Sequence, residues 1–325
     1  MDTRANFPDA AAGTGMYESF YLRAFSPEEP VGVWIRYTVH KRPGSEPTGS
    51  LWCTLFDARS GAPFMHKLTT ERPRVPPGGW IAVAESELGP GRAEGRCGEA
   101  SWELSFSSGE PPLYHLSPAF LYRTPLPRTK LTSPAPAARF GGVFELAGRG
   151  AIVLEGWQGM VGHNWGTEHA ERWIWLHGMG FDEAPEAWID VALGRVLIAG
   201  RLTPWIASGA LSLAGRRTPI GGLPARGQSV AEGVASCRAR LKGRGGTTIE
   251  LRVQAPADST AGWRYADPDG GEHDVLNCSV AALELTVGGG GAREPRRMRT
   301  EHGGAYELGM RERDHGVAIA PFPDG

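Results

Sequence analysis

Residues 159–178 are GMVGHNWGTEHAERWIWLHG, and they contain three of the nine histidines and three of the eleven tryptophans of the chain. Side chains in a β-strand point alternately to opposite faces. In a strand over Arg172–Gly178, Trp173, Trp175 and His177 would therefore share one face. Large aromatic residues are also enriched in strands. This stretch predicts a strand that presents two indoles and an imidazole on the same side.

The rest of the chain repeats this strand-like pattern. Glycine and proline together make 72 of 325 residues (46 and 26), and 41% of the residues are hydrophobic. Short aromatic and β-branched runs bounded by such turn residues predict an all-β sandwich or barrel. The predicted strands are Tyr17–Ala24, Val31–Lys41, Ser50–Asp57, Gly79–Glu85, Ala100–Ser107, Ala151–Trp157, Arg172–Met179, Ala187–Ala199, Thr248–Ala255 and Ser279–Val287, with Val230–Cys237 as a further candidate.

The length of 325 residues allows two domains. A boundary near residue 170 gives a flexible N-terminal tail (1–15), a first domain (16–170) and a second domain (171–325), each domain of a size for eight to ten strands. Ser133–Ala138 (SPAPAA) is predicted to be a stiff linker. Gly288–Arg299 is predicted to be a flexible basic loop or a solvated hairpin tip.

Charge and composition exclude several classes of protein. The formal net charge of -2 gives no electrostatic reason to expect nucleic acid as a partner. No apolar run reaches the length of a transmembrane helix. The N-terminal residues lack the apolar core of a signal peptide, so we expect a cytoplasmic protein. The four cysteines are far apart and are expected to be reduced thiols.

The motifs of metal, nucleotide and acyl-transfer chemistry are absent. His163 and His169 are six residues apart, which is not the zincin spacing of four. A two-histidine, one-carboxylate site with Glu168 is the metal alternative, but we expect no metal and no cofactor. The chain has no Gly-x-Ser-x-Gly motif. The glycines at 288–291 have none of the context of a phosphate-binding loop.

Asp190 is the first candidate for chemistry. In a strand over Ala187–Ala192, Trp188 and Asp190 share a face. Burial among apolar side chains would raise the pKa of this carboxyl group and keep part of it protonated. A protonated acid can protonate an alkene, and indole faces can stabilise the resulting carbocation. The alternative is that Asp190 is only a structural hydrogen-bond acceptor.

Two short motifs carry a resemblance to a known family. Gly159–Gly166 contains His163-Asn164-Trp165, and Trp188-Ile189-Asp190 follows about 25 residues later. Together they resemble the carotenoid 1,2-hydratase (hydroxyneurosporene synthase)/AttH-like tandem lipocalin superfamily, which is similar to tocopherol-cyclase-like proteins and lipocalin-like pericyclases. The resemblance implies an all-β chain of two lipocalin-like β-barrel or sandwich domains in tandem. Further matching segments are Tyr17–Arg23, Val33–Thr38, Leu131–Pro134 and Thr203–Trp205.

The resemblance also implies a set of site residues. His163 and Trp165 match the His-Asn-Trp motif of the hydratases, and Asp190 matches the Asp of their Tyr-x-Asp motif. Trp188 replaces the Tyr, and Gly162 stands where many relatives carry Asp. These departures favour chemistry on a hydrophobic molecule other than a carotenoid. The residues expected to bind substrate are Trp188, Trp173, Trp175, His177, Asn164 and His169, although His169 and His177 could equally be structural.

The expected function is a cofactor-independent hydratase, cyclase or isomerase that acts on a terpenoid, polyene or polyketide. Asp190 would donate the proton and His163 would be its hydrogen-bonded partner, at an aromatic cavity between the two halves. A pericyclase and a non-enzymatic carrier of a hydrophobic ligand are the alternatives. We expect a monomer or homodimer, with peripheral membrane contact for substrate access. No constellation is discernible for His40, His66, His115, His273, His302 and His315.

Overall fold

The computed structural model describes residues 2–222, 227–256, 258–291 and 294–321. Within these residues the chain forms 23 strands and three short 3-10 helices, and none of it is α-helical. The predicted all-β class is confirmed. None of the described helices is long and apolar enough to cross a membrane. Arg293, one of the arginines of the predicted basic loop, lies outside the described residues.

The first eleven strands form one antiparallel sheet in the order β4-β3-β2-β1-β11-β10-β8-β7-β6-β5, with β9 beside β10. A backbone bridge between Arg74, just after β4, and Ala82 of β5 nearly closes this sheet into a barrel. The strands are β1 Met16–Phe25, β2 Val31–Lys41, β3 Thr48–Asp57, β4 Phe64–Glu71, β5 Ile81–Val83, β6 Ser86–Gly89, β7 Arg92–Cys97, β8 Ala100–Ser107, β9 Leu113–Tyr114, β10 Thr129–Leu146 and β11 Gly150–Gly166.

A second antiparallel sheet has the order β17-β16-β13-β12-β23-β22-β20-β19-β18, with β21 beside β22. A bridge between Ile220 of β17, at one edge of the sheet, and Gly243, which follows β19 near the other edge, brings the two edges close together. Strands β14 and β15 form a separate two-stranded sheet. The strands are β12 Arg172–Gly178, β13 Trp188–Arg195, β14 Leu197–Ile198, β15 Arg201–Leu202, β16 Ile206–Leu213, β17 Arg216–Gly221, β18 Ser229–Gly233, β19 Ser236–Lys242, β20 Thr247–Gln254, β21 Ala261–Ala266, β22 Glu272–Gly289 and β23 Arg296–Met310.

The chain passes from the first sheet to the second between Gly166 and Arg172, so the expected boundary near residue 170 falls in this connection. The segment expected to be an N-terminal tail contains Ala5 and Phe7, which are buried in the core of the first barrel. The predicted linker Ser133–Ala138 is wrong, because these residues lie inside β10. The register of β10 against β11 shifts there, and such bulges tolerate proline within a strand.

The two barrels pack against each other along a layer that we call the seam, formed by the facing sides of β1, β10 and β11 and of β12, β13 and β22. Arg23 of β1 donates two hydrogen bonds to the Ser279 carbonyl of β22. At another point, Trp52 of β3 meets the ring of Trp263 at a centroid distance of 5.1 Å. The first barrel thus contributes side chains to the core of the second. All four cysteines are buried and unpaired.

Candidate functional site

Asp190 is fully buried at the seam and has partners from both barrels. Its Oδ2 atom accepts a hydrogen bond from the Ser133 hydroxyl of β10 at 2.5 Å and lies 3.3 Å from His115 Nε2. Its Oδ1 atom accepts a hydrogen bond from the Trp175 indole at 3.0 Å. We call Asp190, His115, Ser133, Trp175, His177 and Arg23 the Asp190 cluster. These partners hold the Asp190 carboxylate in a fixed position.

Strand pairing explains why Asp190 lies beside Trp175 and His177. The antiparallel register places His177 of β12 directly opposite Asp190 of β13, and alternation puts Trp175 on the same face. On the other side of β13, Gly209 of β16 has a φ of +152°, and a Cβ atom there would lie 2.1 Å from the Asp190 carbonyl oxygen. A glycine is therefore needed where β16 approaches the backbone of Asp190.

His115 reaches the cluster from the segment that follows β9. Its Nδ1 atom lies 3.2 Å from the Ser208 carbonyl oxygen, and its Nε2 atom lies near both Ser133 Oγ and Asp190 Oδ2. Each ring nitrogen thus has an acceptor, so a protonated ring would donate to both sides. His115 is 6% exposed, which makes this a buried contact between the first barrel and the second.

The electrostatics of Asp190 differ from the expectation based on burial. Desolvation raises its pKa, but the charge and hydrogen bond of His115, the charge of His177 and the hydrogen bond of Ser133 outweigh it and hold the pKa at about 2. The expectation of a raised pKa is therefore wrong. Asp190 is a carboxylate near neutral pH, and any proton that this pair transfers is carried by the ring of His115.

His177 and Arg23 form the next layer of the cluster. The Arg23 guanidinium donates to His177 Nδ1 at 2.9 Å, and His177 Nε2 donates to the Pro136 carbonyl at 3.0 Å. Both contacts suit a neutral ring protonated at Nε2. Burial, together with the positive charge of Arg23, lowers the pKa of His177 to about 4.

The sequence predicts that His163 pairs with Asp190, and this prediction is wrong. The Nε2 atom of His163 lies 2.7 Å from Glu18 Oε1 inside the first barrel, and its ring stacks on Phe20 at a centroid distance of 3.8 Å. Alternation along β11 explains the difference, because Val161 and His163 face the barrel core whereas Gly162 and Asn164 face the seam. Glu18 also accepts hydrogen bonds from the backbone of Asn6 and Phe7.

The other residues predicted to form the site lie in different parts of the structure. Trp165 stacks on His163 at 4.5 Å, on the barrel side of β11. Asn164 accepts a hydrogen bond from Ser19 within the seam. Trp173 donates to Glu307 at 2.9 Å. Trp188 is fully buried and lies under the guanidinium of Arg217, 4.9 Å from it. Of the predicted substrate-binding residues, only Trp175 and His177 belong to the Asp190 cluster.

Gly162, the residue before the His163-Asn164-Trp165 motif, lies against Tyr21 of β1. A Cβ atom at position 162 would be 2.2 Å from the Tyr21 ring carbon Cζ. The ring of Tyr21 meets Trp175 edge-on at 5.5 Å. Tyr21 therefore occupies the space that a side chain at position 162 would need, and it brings a phenol to the seam beside the cluster.

The metal alternative predicted from sequence is not assembled. Glu168 pairs with Arg128, and His163 is bound to Glu18. His169 instead lies beside Asp267 and His273, and these three residues have ligand atoms close enough together to hold a metal ion. Next to them is a cavity of about 10 Å³ lined by Tyr17, Arg36 and His169, among others. A volume of this size holds about one water molecule.

His115, Ser133 and Glu18 are the residues that sequence reasoning missed. No local spacing connects positions 115, 133 and 190, because the fold brings them together from different strands. Ser133 lies in a proline- and alanine-rich stretch that has the composition of a linker. Glu18 did carry a signal, since it shares a strand face with Phe20, and a carboxylate on an apolar strand face needs a partner.

The segment 116–128 connects His115 to β10, the strand that carries Ser133. Tyr122, buried within it, donates a hydrogen bond to the Leu131 carbonyl and accepts one from the Leu116 amide. Phe120 and Leu126, by contrast, are 61% and 65% exposed. This segment therefore has few apolar anchors, although it begins directly after His115.

Comparison with known proteins gives relatives without an assigned activity. No protein-family model matches the chain. The uncharacterized protein Rv0493c of Mycobacterium tuberculosis strain H37Rv is 28% identical over 331 residues, covering 99% of this chain and 93% of the relative. The uncharacterized protein MT0513 of strain CDC 1551 has the same values. Both relatives match over nearly the full length.

Solved structures with the same fold are more distant in sequence. CghA with bound Sch210972 has a TM-score of 0.59 at 13% identity, covering 90% of this chain and 88% of CghA. An AttH-like protein of Nitrosomonas europaea has a TM-score of 0.55 at 14% identity, covering 94% and 96%. Kievitone hydratase of Nectria haematococca has a TM-score of 0.52 at 10% identity, covering 91% and 88%. The predicted tandem lipocalin-like fold is confirmed.

Proposed function

We propose that the chain is a cofactor-independent enzyme that performs hydratase, cyclase or isomerase chemistry on a hydrophobic small molecule at the seam. The observation that carries the proposal is the buried His115–Asp190 pair, joined across two barrels and flanked by Tyr21 and Trp175. Kievitone hydratase and CghA, which share the fold, are a hydratase and a protein that binds Sch210972.

The proposed mechanism divides the work between the two residues. His115 transfers to the substrate the proton that its Nδ1 atom otherwise donates to the Ser208 carbonyl oxygen, and the Asp190 carboxylate beside Nε2 stabilises the protonated ring. Ser133 and Trp175 hold the carboxylate in place by donating to its two oxygens. The faces of Trp175 and Tyr21 stabilise positive charge that develops on the substrate. General acid–base help of this kind contributes about 10²–10⁴-fold to a rate.

Substrate entry in this proposal requires a movement, because Asp190, His115 and His177 are at most 6% exposed. The segment 116–128 is the part that opens. It begins next to His115, and its exposed Phe120 and Leu126 offer an apolar surface to an approaching ligand. Closing the segment again would exclude water from the reacting centre.

The test starts from tag-free protein purified from its own host, with native mass spectrometry to detect a retained lipophilic molecule. The molecule and its unsaturated or ring-opened precursors are then offered to the wild type, to His115→Gln and to Asp190→Asn. We expect turnover to fall about 10²–10⁴-fold in both variants, while ligand retention changes little. The matched control is Asp182→Asn, which changes an exposed carboxylate on the same barrel.

A pericyclase is the second candidate, favoured by the similarity to CghA with its bound Sch210972. In that case orientation matters and proton transfer does not, so Asp190→Asn would keep near-normal turnover. A wild type that retains a ligand and converts none of its precursors would instead be a carrier. Either result would overturn the proposed acid–base mechanism.

A further inference from the structure

A second polar cluster lies at the other end of the seam. His169 belongs to the connection between the barrels, and Asp267 and His273 flank the turn between β21 and β22. Each residue offers one nitrogen or oxygen atom that could bind a metal, and these three atoms lie within 4.8 Å of one another. Asp267 and His273 are fully buried. The cluster is separate from the Asp190 cluster and is not used by the proposed reaction.

The polar atoms of this second cluster are poorly satisfied. Within the described part of the chain, neither ring nitrogen of His273 has a hydrogen-bond partner, and the same is true of His169 Nε2 and Asp267 Oδ2. A buried polar atom without a partner is costly, so such atoms are seldom found together. Asp267 Oδ1, by contrast, accepts hydrogen bonds from the backbone amide and from Nδ1 of His169 at 2.8 and 2.7 Å.

We propose that His169, Asp267 and His273 bind one divalent first-row transition-metal ion, such as zinc. Two imidazoles and one carboxylate suit such ions better than magnesium or calcium, which prefer oxygen ligands. Three protein ligands leave a coordination position open, and the cavity that His169 helps to line has room for about one water molecule.

Two arginines lie near the cluster, and each of them contacts a group outside it. Arg311 comes within 3.8 Å of Asp267 Oδ2, but its guanidinium is bound to Glu171 at 2.9 Å. Arg36, which lines the cavity, lies over the ring of Tyr265 at 3.9 Å. The bound ion would join the connection at residues 167–171 to the β21–β22 turn. It would therefore fix the position of the second barrel relative to the chain that enters it.

The experiment measures metal binding directly and does not depend on any turnover. Tag-free protein is stripped with a chelator and titrated with Co(II), whose visible absorption reports coordination, and the Co(II) is then competed with Zn(II). Metal content after dialysis is measured by mass spectrometry. We expect one ion per chain in the wild type and a rise in Tm on adding Zn(II). Asp267→Asn and His169→Gln should lose both effects.

The controls separate metal binding from folding. His302→Gln changes a partly buried histidine of the same barrel that is bonded to Ser26 instead, and it should keep full stoichiometry. Circular dichroism must show that the binding variants are folded, and His273→Gln is a third variant if one of them is not. The proposal is overturned if the wild type binds less than a tenth of an equivalent, or if folded variants bind as much as the wild type.

Discussion

His115 Nε2 and Asp190 Oδ2 lie 3.3 Å apart, although one residue belongs to the first barrel and the other to the second. The contact is buried, so its energy depends on both partners being present. Removing one member of such a pair leaves an uncompensated charge, which is more costly than the pair itself is stabilising. The seam therefore contains buried polar groups whose hydrogen-bond partners lie in the other barrel.

The first prediction concerns the stability of this pair. His115→Gln and Asp190→Asn should each lower the free energy of unfolding by about 3–5 kcal/mol, because each leaves a buried partner unsatisfied. The double variant should lose less than the sum of the two. Urea unfolding of the wild type, both single variants and the double variant gives this cycle. Strictly additive losses would mean that the two side chains do not interact.

The second prediction is a pH dependence that comes from His177. Its pKa is lowered to about 4 in the folded protein, against an ordinary value of 6.5. The unfolded chain therefore takes up the proton first as the pH falls. The stabilising contribution of the neutral ring is complete above pH 6.5 and is lost progressively towards pH 4, by about 2 kcal/mol between pH 7.5 and 5.

The measurement compares urea unfolding of the wild type and His177→Gln at these two pH values. Other groups titrate in both proteins, so only the difference between them counts. The variant should be less stable at pH 7.5, because Arg23 and the Pro136 carbonyl lose their partner, but its loss towards pH 5 should be smaller by about 2 kcal/mol. Equal losses in the two proteins would contradict the assignment.

The third prediction concerns Glu18 and the N-terminal segment. Its carboxylate accepts hydrogen bonds from the Asn6 and Phe7 amides and lies against His163. Glu18→Ala should cost about 1–3 kcal/mol for the groups left unsatisfied and should speed hydrogen exchange at residues 5–9. Glu103→Ala, on an exposed strand position, is the control. Unchanged exchange at Phe7 would show that the segment is held by other contacts.

Local periodicity predicted part of the site. The alternation in Arg172–Gly178 and Ala187–Ala192 correctly placed Trp175, His177 and Asp190 on strands whose side chains share a face, because the period of two is a property of each strand. The same alternation could not tell which face of β11 turns to the seam. In the folded protein Gly162 packs against Tyr21 at the seam, and His163, the next residue, faces the barrel core.

Long-range partners were beyond sequence reasoning. His115 and Ser133 reach Asp190 from separate elements of the first barrel, and their sequence separations carry no information about the contact. The same holds for His169, Asp267 and His273, since Asp267 and His273 meet His169 only after the β21–β22 turn folds against the connection between the barrels. The linker predicted over Ser133–Ala138 is wrong, because its prolines lie in a strand whose register shifts at a bulge.

The tight contact between Gly162 and the ring of Tyr21 has a consequence for how this protein can diverge over evolution. A mutation that gives position 162 a side chain displaces the Tyr21 ring from its present place, and a smaller residue at position 21 leaves a hole while position 162 is glycine. The two positions are therefore expected to change as a pair. Among descendants of a common ancestor, a carboxylate at 162 should accompany a small residue at 21, so the side chains at this end of the seam would be inherited as a unit.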